Sequence, residues 1–148
     1  MQIRLRRFEL YSDASFDENK SLGVYSFILI DARGRIHAQS TNAAKFNNVF
    51  QAEIAGIAAG ISALPDGAGV RSHSDLRKFD DIFASGYKSK HLCIRRLREC
   101  IDKKCVDFVN EYQRDKVSRG DWYALCHSRS NNHLRSLVGR GGKVLGER

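Results

Sequence analysis

The sequence predicts an α/β fold: a five-stranded mixed sheet, three antiparallel strands followed by two parallel ones, with helices packed on it. Three observations lead there. Three short apolar runs, separated by turn residues, lie within the first forty positions. Val49–Leu64 then carries apolar side chains at three- and four-residue steps, the period of a helix. Beyond it, short apolar runs alternate with helical stretches, and strand–helix–strand units of that kind close with parallel strands.

Phe8–Ser12 reads as the first strand, carrying Asp13 at its C-terminal end. Gly23–Ile30 is the second. Asp31–Arg35 is a turn with Gly34 where a left-handed residue would sit, and Arg35–Ser40 returns as the third strand. Asn42–Asn48 reads as polar loop, with Asn47 or Asn48 capping the helix Val49–Leu64. Phe50, Ile54, Ile57, Ile61 and Leu64 form its apolar stripe, and its alanines and glycines let it press closely on a neighbour. Glu53 falls on that stripe. A buried carboxylate costs several kcal/mol unless it is paired or bound to a cation. Glu53 is therefore either a partly exposed residue at the edge of the stripe or an acid with a function, and the helix alone does not decide.

Val70–Asp75 is the fourth strand, ending on Asp75. Leu76–Ala84 reads as a short helix, Ser85–Lys90 as a basic turn, and Leu92–Arg114 as the longest helix. Ile94, Leu97, Ile101, Cys105, Phe108 and Tyr112 make its stripe. Asp121–Cys126 reads as the last strand, and Asn132–Val138, capped by Ser130 or Asn131, as a final short helix. Residues 1–138 are thus expected to form one domain, and 139–148 a flexible, glycine-rich basic tail.

Lys and Arg number 25 against 17 Asp and Glu, and the net charge of +8 favours polyanionic partners. Lys88, Lys90, Arg95 and Arg96 are the candidates for nucleic-acid contact. Cys93, Cys100, Cys105 and Cys126 form no Cys-x-x-Cys pair and read as reduced thiols packed as small apolar groups, not as a zinc site. No apolar run reaches the ~18 residues of a membrane span. The N-terminus has no signal-peptide pattern, and a cytoplasmic location is expected.

Asp13 and Asp75 end predicted strands, and Glu53 faces inward from the helix between them. Three acids brought together repel unless a divalent cation neutralises them. Hard oxygen ligands suit Mg2+ or Mn2+. Two such ions about 3.5–4 Å apart activate a water and stabilise the leaving oxygen of a phosphodiester. A basic protein with an acidic metal pocket is a nuclease candidate.

The pattern resembles the ribonuclease H family. Tyr11-Ser12-Asp13-Ala14-Ser15 looks like that family's strand-one Asp-Gly-Ser motif, and Asn47 through Ala55 like its asparagine-then-Ala-Glu helix start. His73-Ser74-Asp75-Leu76 looks like its Thr-Asp-Ser strand end, and His127 through Val138 like its closing segment. The acids lie 40 and then 22 residues apart, typical of the family. The resemblance spans roughly Phe8 to Val138 and implies a ribonuclease H-like sheet. It also implies cleavage of the RNA strand of RNA–DNA hybrids, with catalytic Asp13, Glu53, Asp75 and His127. Asp13 would bridge two ions, and Glu53 and Asp75 would each hold one. His127 matches a loop histidine that helps the proton or product leave. Asn47, Asn48 and Gln51 are the candidates for reading 2′-hydroxyls.

Three departures stand out. The fourth metal-binding acid is replaced by Arg135, whose guanidinium would oppose a second ion, with His133 as the alternative ligand. Leu76 replaces a serine. Asn47 and Asn48 precede Glu53 by six and five residues, more than is usual. The alternatives are a nucleic-acid-binding domain of this fold with weakened or lost catalysis, and a nuclease of this fold acting on double-stranded RNA or branched DNA.

Overall fold

The computed structural model describes residues 6–74, 76, 88–112 and 120–139. The elements are β1 (Arg7–Asp17), β2 (Leu22–Asp31), β3 (Ile36–Lys45), α1 (Val49–Ser62), β4 (Gly69–Ser74), α2 (Leu92–Lys103), β5 (Asp107–Tyr112) and α3 (Gly120–Val138). They build one sheet in the order β3-β2-β1-β4-β5. The β1–β2 and β2–β3 ladders are antiparallel, and the β1–β4 and β4–β5 ladders are parallel. This is the predicted five-stranded mixed sheet.

Side chains of a strand alternate between the two faces of its sheet. Phe8 and Leu10 of β1 join Phe27 and Leu29 of β2 against Ile54, Ile57 and Ile61 of α1 and Ile94, Leu97 and Ile101 of α2. Tyr11, Ile28 and Ile30 lie on the other face with Trp122 and Cys126 of α3. One face therefore carries α1 and α2, and the opposite face carries α3. Small residues set the spacing of the first layer. A Cβ added at Gly60 would run into the Leu10 side chain, with Cδ2 only 2.8 Å away.

Four sequence expectations are corrected. β1 does not end at Ser12: Ala14, Ser15 and Phe16 keep pairing with β2, so Asp13 lies inside the strand. β3 extends to Lys45 through the expected loop, because a sheet edge tolerates polar residues such as Asn42, paired with Tyr25. The helix expected over Leu92–Arg114 stops at Lys103. Cys105 takes φ 53°, a left-handed conformation no helix continues through, and Asp107–Tyr112 becomes a strand paired with β4. The strand expected at Asp121–Cys126 and the helix expected at Asn132–Val138 are one helix, α3. Tyr123, Cys126, Ser130 and Leu134, at three- and four-residue steps, are all buried in it. The expected helix Leu76–Ala84 lies outside the described residues except for Leu76, which is in no helix. Positions 85–87 of the basic turn, Asp75 and the tail from 140 also lie outside them. No helix among the described residues is long and apolar enough to cross a membrane.

Candidate active site

Tyr11, Asp13 and Ser15 project from β1 toward α3, and α3 meets each of them. The Cys126 thiol donates to the Tyr11 carbonyl at 3.5 Å, and the Ser15 hydroxyl donates to Asn131 Oδ1. Between these contacts the Asp13 side chain is 1% exposed. Tyr123 Oη donates to Asp13 Oδ1 at 3.1 Å, and His127 Nδ1 lies 2.6 Å from Asp13 Oδ2. His127 Nε2 lies 3.2 Å from Asn131 Nδ2. One proton arrangement satisfies every member: His127 Nδ1–H donates to the carboxylate, and Nε2 accepts from the Asn131 amide. Ser130 Oγ adds a 3.2 Å contact to the Asp13 carbonyl and a 2.9 Å contact to Ser26 Oγ. Tyr123, His127 and Asn131 form one column because they are four residues apart on a helix.

His127 thus belongs to a helix and not to the expected loop. Tyr123 and Asn131 are functional candidates that the sequence reading missed as partners of Asp13. Their 123–127–131 spacing was the available signal, hidden by reading 121–126 as a strand.

Burial, with the nearby Asp13 charge second, pushes the Cys126 thiol up to about 12. Cys105 is exposed. A disulfide-exchange reagent at pH 8 is expected to label Cys105 in the folded protein and Cys126 only after unfolding. Mass spectrometry of the labelled peptides checks this, and early labelling of Cys126 would contradict the packing of α3.

Glu53 is buried, 5% exposed, which removes the edge-of-stripe alternative. Its place follows from the packing of α1. A Cβ at Gly60 would meet Leu10, one at Gly56 would lie 3.6 Å from the Ser12 Cβ, and Ala52 approaches Gly23, which pairs with Phe16. The helix therefore runs antiparallel to β1. Glu53 shares a face with Gly60, two turns or roughly 10 Å toward the helix N-terminus. Leu10 to Asp13 is also roughly 10 Å along the strand. Glu53 and Asp13 thus reach the same level of β1 from opposite faces.

Among the described residues, the last β1–β4 pair, Tyr11↔His73, comes just before that level, and β4 is described to Ser74. Beyond Tyr11, β1 has β2 on one side and, among the described residues, no paired strand on the other. The buried Ser12 hydroxyl, next along β1, has no hydrogen-bond partner among the described residues.

These donors are carboxylate and hydroxyl oxygens, which suit a hard divalent cation. Among the described residues, no group of three or more His, Cys, Asp or Glu is placed to hold a metal ion. Asp75, the third acid expected from the sequence, follows Ser74 and lies outside the described residues. Arg135 and His133 are exposed. Arg135 lies two turns, roughly 12 Å along the axis, beyond His127, the residue α3 turns onto Asp13.

Asn48 caps α1: its Oδ1 accepts the Gln51 amide at 2.9 Å, and Gln51 Oε1 accepts the Asn47 amide at 2.8 Å. This reciprocal cap occupies the oxygens of both side chains. The Phe50 and His91 rings meet at 5.2 Å, joining the starts of α1 and α2. Gln51, Lys45 and Arg96 line a groove of about 490 Å³ between the helices. Lys88, Lys90, Arg95 and Arg96, just before and within the first turns of α2, are exposed. The sequence-predicted contact residues from two distant segments therefore gather at one end of the α1–α2 layer.

No protein-family model and no curated protein matches the sequence. Solved structures do match. The N-terminal ribonuclease H domain of a Mycobacterium tuberculosis protein, solved as a fusion with maltose-binding protein, superposes with a TM-score of 0.65. The match covers 89% of this chain and 99% of that one at 17% identity. The chain has the ribonuclease H fold. Ribonuclease H1 from the halophilic archaeon Halobacterium salinarum superposes with a TM-score of 0.59 at 17% identity, covering 85% of this chain and 98% of that one. In ribonuclease H terms the sheet order and the helix layers are accounted for by these neighbours. The Asp13–His127–Asn131 column is a feature of this chain's own side chains.

Proposed function

We propose that the chain is a nuclease that cuts the RNA strand of RNA–DNA hybrids with the help of Mg2+ or Mn2+. The observation that carries the proposal is the approach of Asp13 and Glu53 to one level of β1, from opposite faces, just beyond the last described β1–β4 pair. The fold shared with solved ribonuclease H domains supports it. The register supports Asp75 as the third ligand: two positions beyond Tyr11↔His73 are Asp13 in one segment and Asp75 in the other. An ion held by these three acids would supply Lewis-acid chemistry, activating a water and stabilising the leaving oxygen.

The chain's own groups do the rest. Tyr123 and His127 fix the orientation of the Asp13 carboxylate. His127 keeps its proton on Nδ1 toward Asp13 while Asn131 holds the other ring nitrogen. The amide groups of Asn47, Asn48 and Gln51 read 2′-hydroxyls in the minor groove. Lys88, Lys90, Arg95 and Arg96 hold backbone phosphates, with affinity that falls as salt rises.

A labelled hybrid incubated with Mg2+ and then Mn2+, beside duplex RNA, duplex DNA and branched DNA, tests the proposal. Metal-dependent cuts confined to the RNA strand of the hybrid are expected. A hybrid left whole with both ions would overturn it. One observation favours a second reading, binding without cleavage: both Asp13 oxygens are already engaged by Tyr123 and His127. Calorimetric titration with Mn2+ separates the two readings. Ion binding that Asp13→Asn removes supports the nuclease, and no ion binding by either form supports the binding domain.

A further inference from the structure

The opposite end of β1 carries a second concentration of charge. Phe8 pairs with Asp31, which sets the β2–β3 turn beside the start of β1. There Arg6, Arg7, Arg33 and Arg35 line a cavity of about 540 Å³, together with Phe8 and Asp31. All four arginines are exposed. Among the described residues, none of the four forms a salt bridge within 4.0 Å.

Among the described residues that line the cavity, the one acid is occupied by the turn itself. Asp31 Oδ1 accepts the amides of Arg33 at 2.9 Å and Arg35 at 3.0 Å. Those bonds, that of Arg35 foremost, hold its carboxyl below the ordinary aspartate range. Gly34, at φ 79°, closes the turn by donating to the Asp31 carbonyl at 3.0 Å. On the other wall the Arg6 carbonyl accepts the Gly69 amide at 2.8 Å, and its guanidinium lies 5.4 Å from the centre of the Phe8 ring. The four cations therefore stand on anchored backbone around one concavity. Guanidinium forks match phosphate oxygens in a bidentate geometry.

We infer that this cavity is a second phosphate site that grips the nucleic-acid backbone at a distance from the acids. It rests on the nucleic-acid reading above. Arg7 and Asp13 are six residues apart on β1, roughly 20 Å. That span is roughly six steps of a duplex at 3.4 Å per step. Only a longer duplex reaches both places, so the cavity acts as a length gauge.

The test is binding in EDTA, which removes cleavage from the readout. Fluorescence anisotropy against salt is measured with hybrids of 6 and 18 base pairs, for the unmodified protein and for Arg33→Ala/Arg35→Ala. These substitutions keep the backbone amides that bond Asp31, and thermal unfolding verifies the hairpin. Expected is a several-fold loss of affinity for the long hybrid, a fall of roughly 1.8 in its log–log salt slope, and no change for the short one. An unchanged long-hybrid slope, or equal losses at both lengths, would overturn the gauge. So would polyglutamate displacing the long hybrid from the arginines as well as unlabelled duplex does. If the unmodified protein binds no hybrid, the nucleic-acid reading falls with it. Binding with the expected slopes but without cleavage in Mg2+ sinks only the nuclease.

Discussion

Asp13→Asn is expected to lower the rate of hybrid cleavage by on the order of 10²–10³-fold while the fold stays intact. The substitution removes a charge and keeps the shape. An asparagine oxygen still accepts from His127 Nδ1, and its amide still reaches Tyr123 Oη, so the buried column remains satisfied. What disappears is the negative charge that reaches this level of β1 from the α3 side. The measurement is a single-turnover rate at saturating Mg2+, paired with a thermal unfolding curve of the same preparation. A rate within a few-fold of the unmodified protein would remove Asp13 from the chemistry. A large fall in unfolding temperature would instead assign it to structure.

Leu10→Ala is expected to cost about 2–5 kcal/mol of stability, and the cost should depend on Gly60. Leu10 is fully buried in the α1 layer, with its side chain in the space a Cβ at Gly60 would need. Gly60→Ala alone forces a methyl into that contact. Overpacking of this kind costs about 1–3 kcal/mol, offset by about 1 kcal/mol of helix propensity. In the Leu10→Ala background the same methyl enters vacated space, and the substitution should stabilise. Denaturant unfolding of the four proteins closes the cycle. Additivity within about 0.5 kcal/mol would show that the two positions do not touch.

The first half of the fold was readable because its signals are local. The Asp31–Arg35 turn, the helical period after Val49 and the apolar run of β2 each depend on neighbours a few residues away. The second half was misread where one pattern served two structures. Cys105, Phe108 and Tyr112 continue a helical stripe begun at Ile94, yet Phe108 also sits in a strand that alternates with the exposed Val109. What decided was pairing with β4, which no local window contains. Trp122–Cys126 is too short a run to distinguish strand from helix, and only the steps on to Ser130 and Leu134 do so. For the site, Asp13 was legible as a motif and Glu53 as an acid on an apolar stripe. The partners of Asp13 were not, because Tyr123 and His127 lie 110 and 114 positions away and were assigned to other elements.

The separation of Asp13 from His127 also sets an order of events during synthesis. A ribosome adding 5–20 residues per second takes roughly 6–23 s to travel from one to the other. Through that interval β1, β2 and α1 can already dock, while the opposite side of the sheet stays bare and the Asp13 carboxylate lies open to water. A nascent chain therefore acquires most of its core before Asp13 gains its hydrogen-bond partners, and α3 is the element whose arrival supplies them.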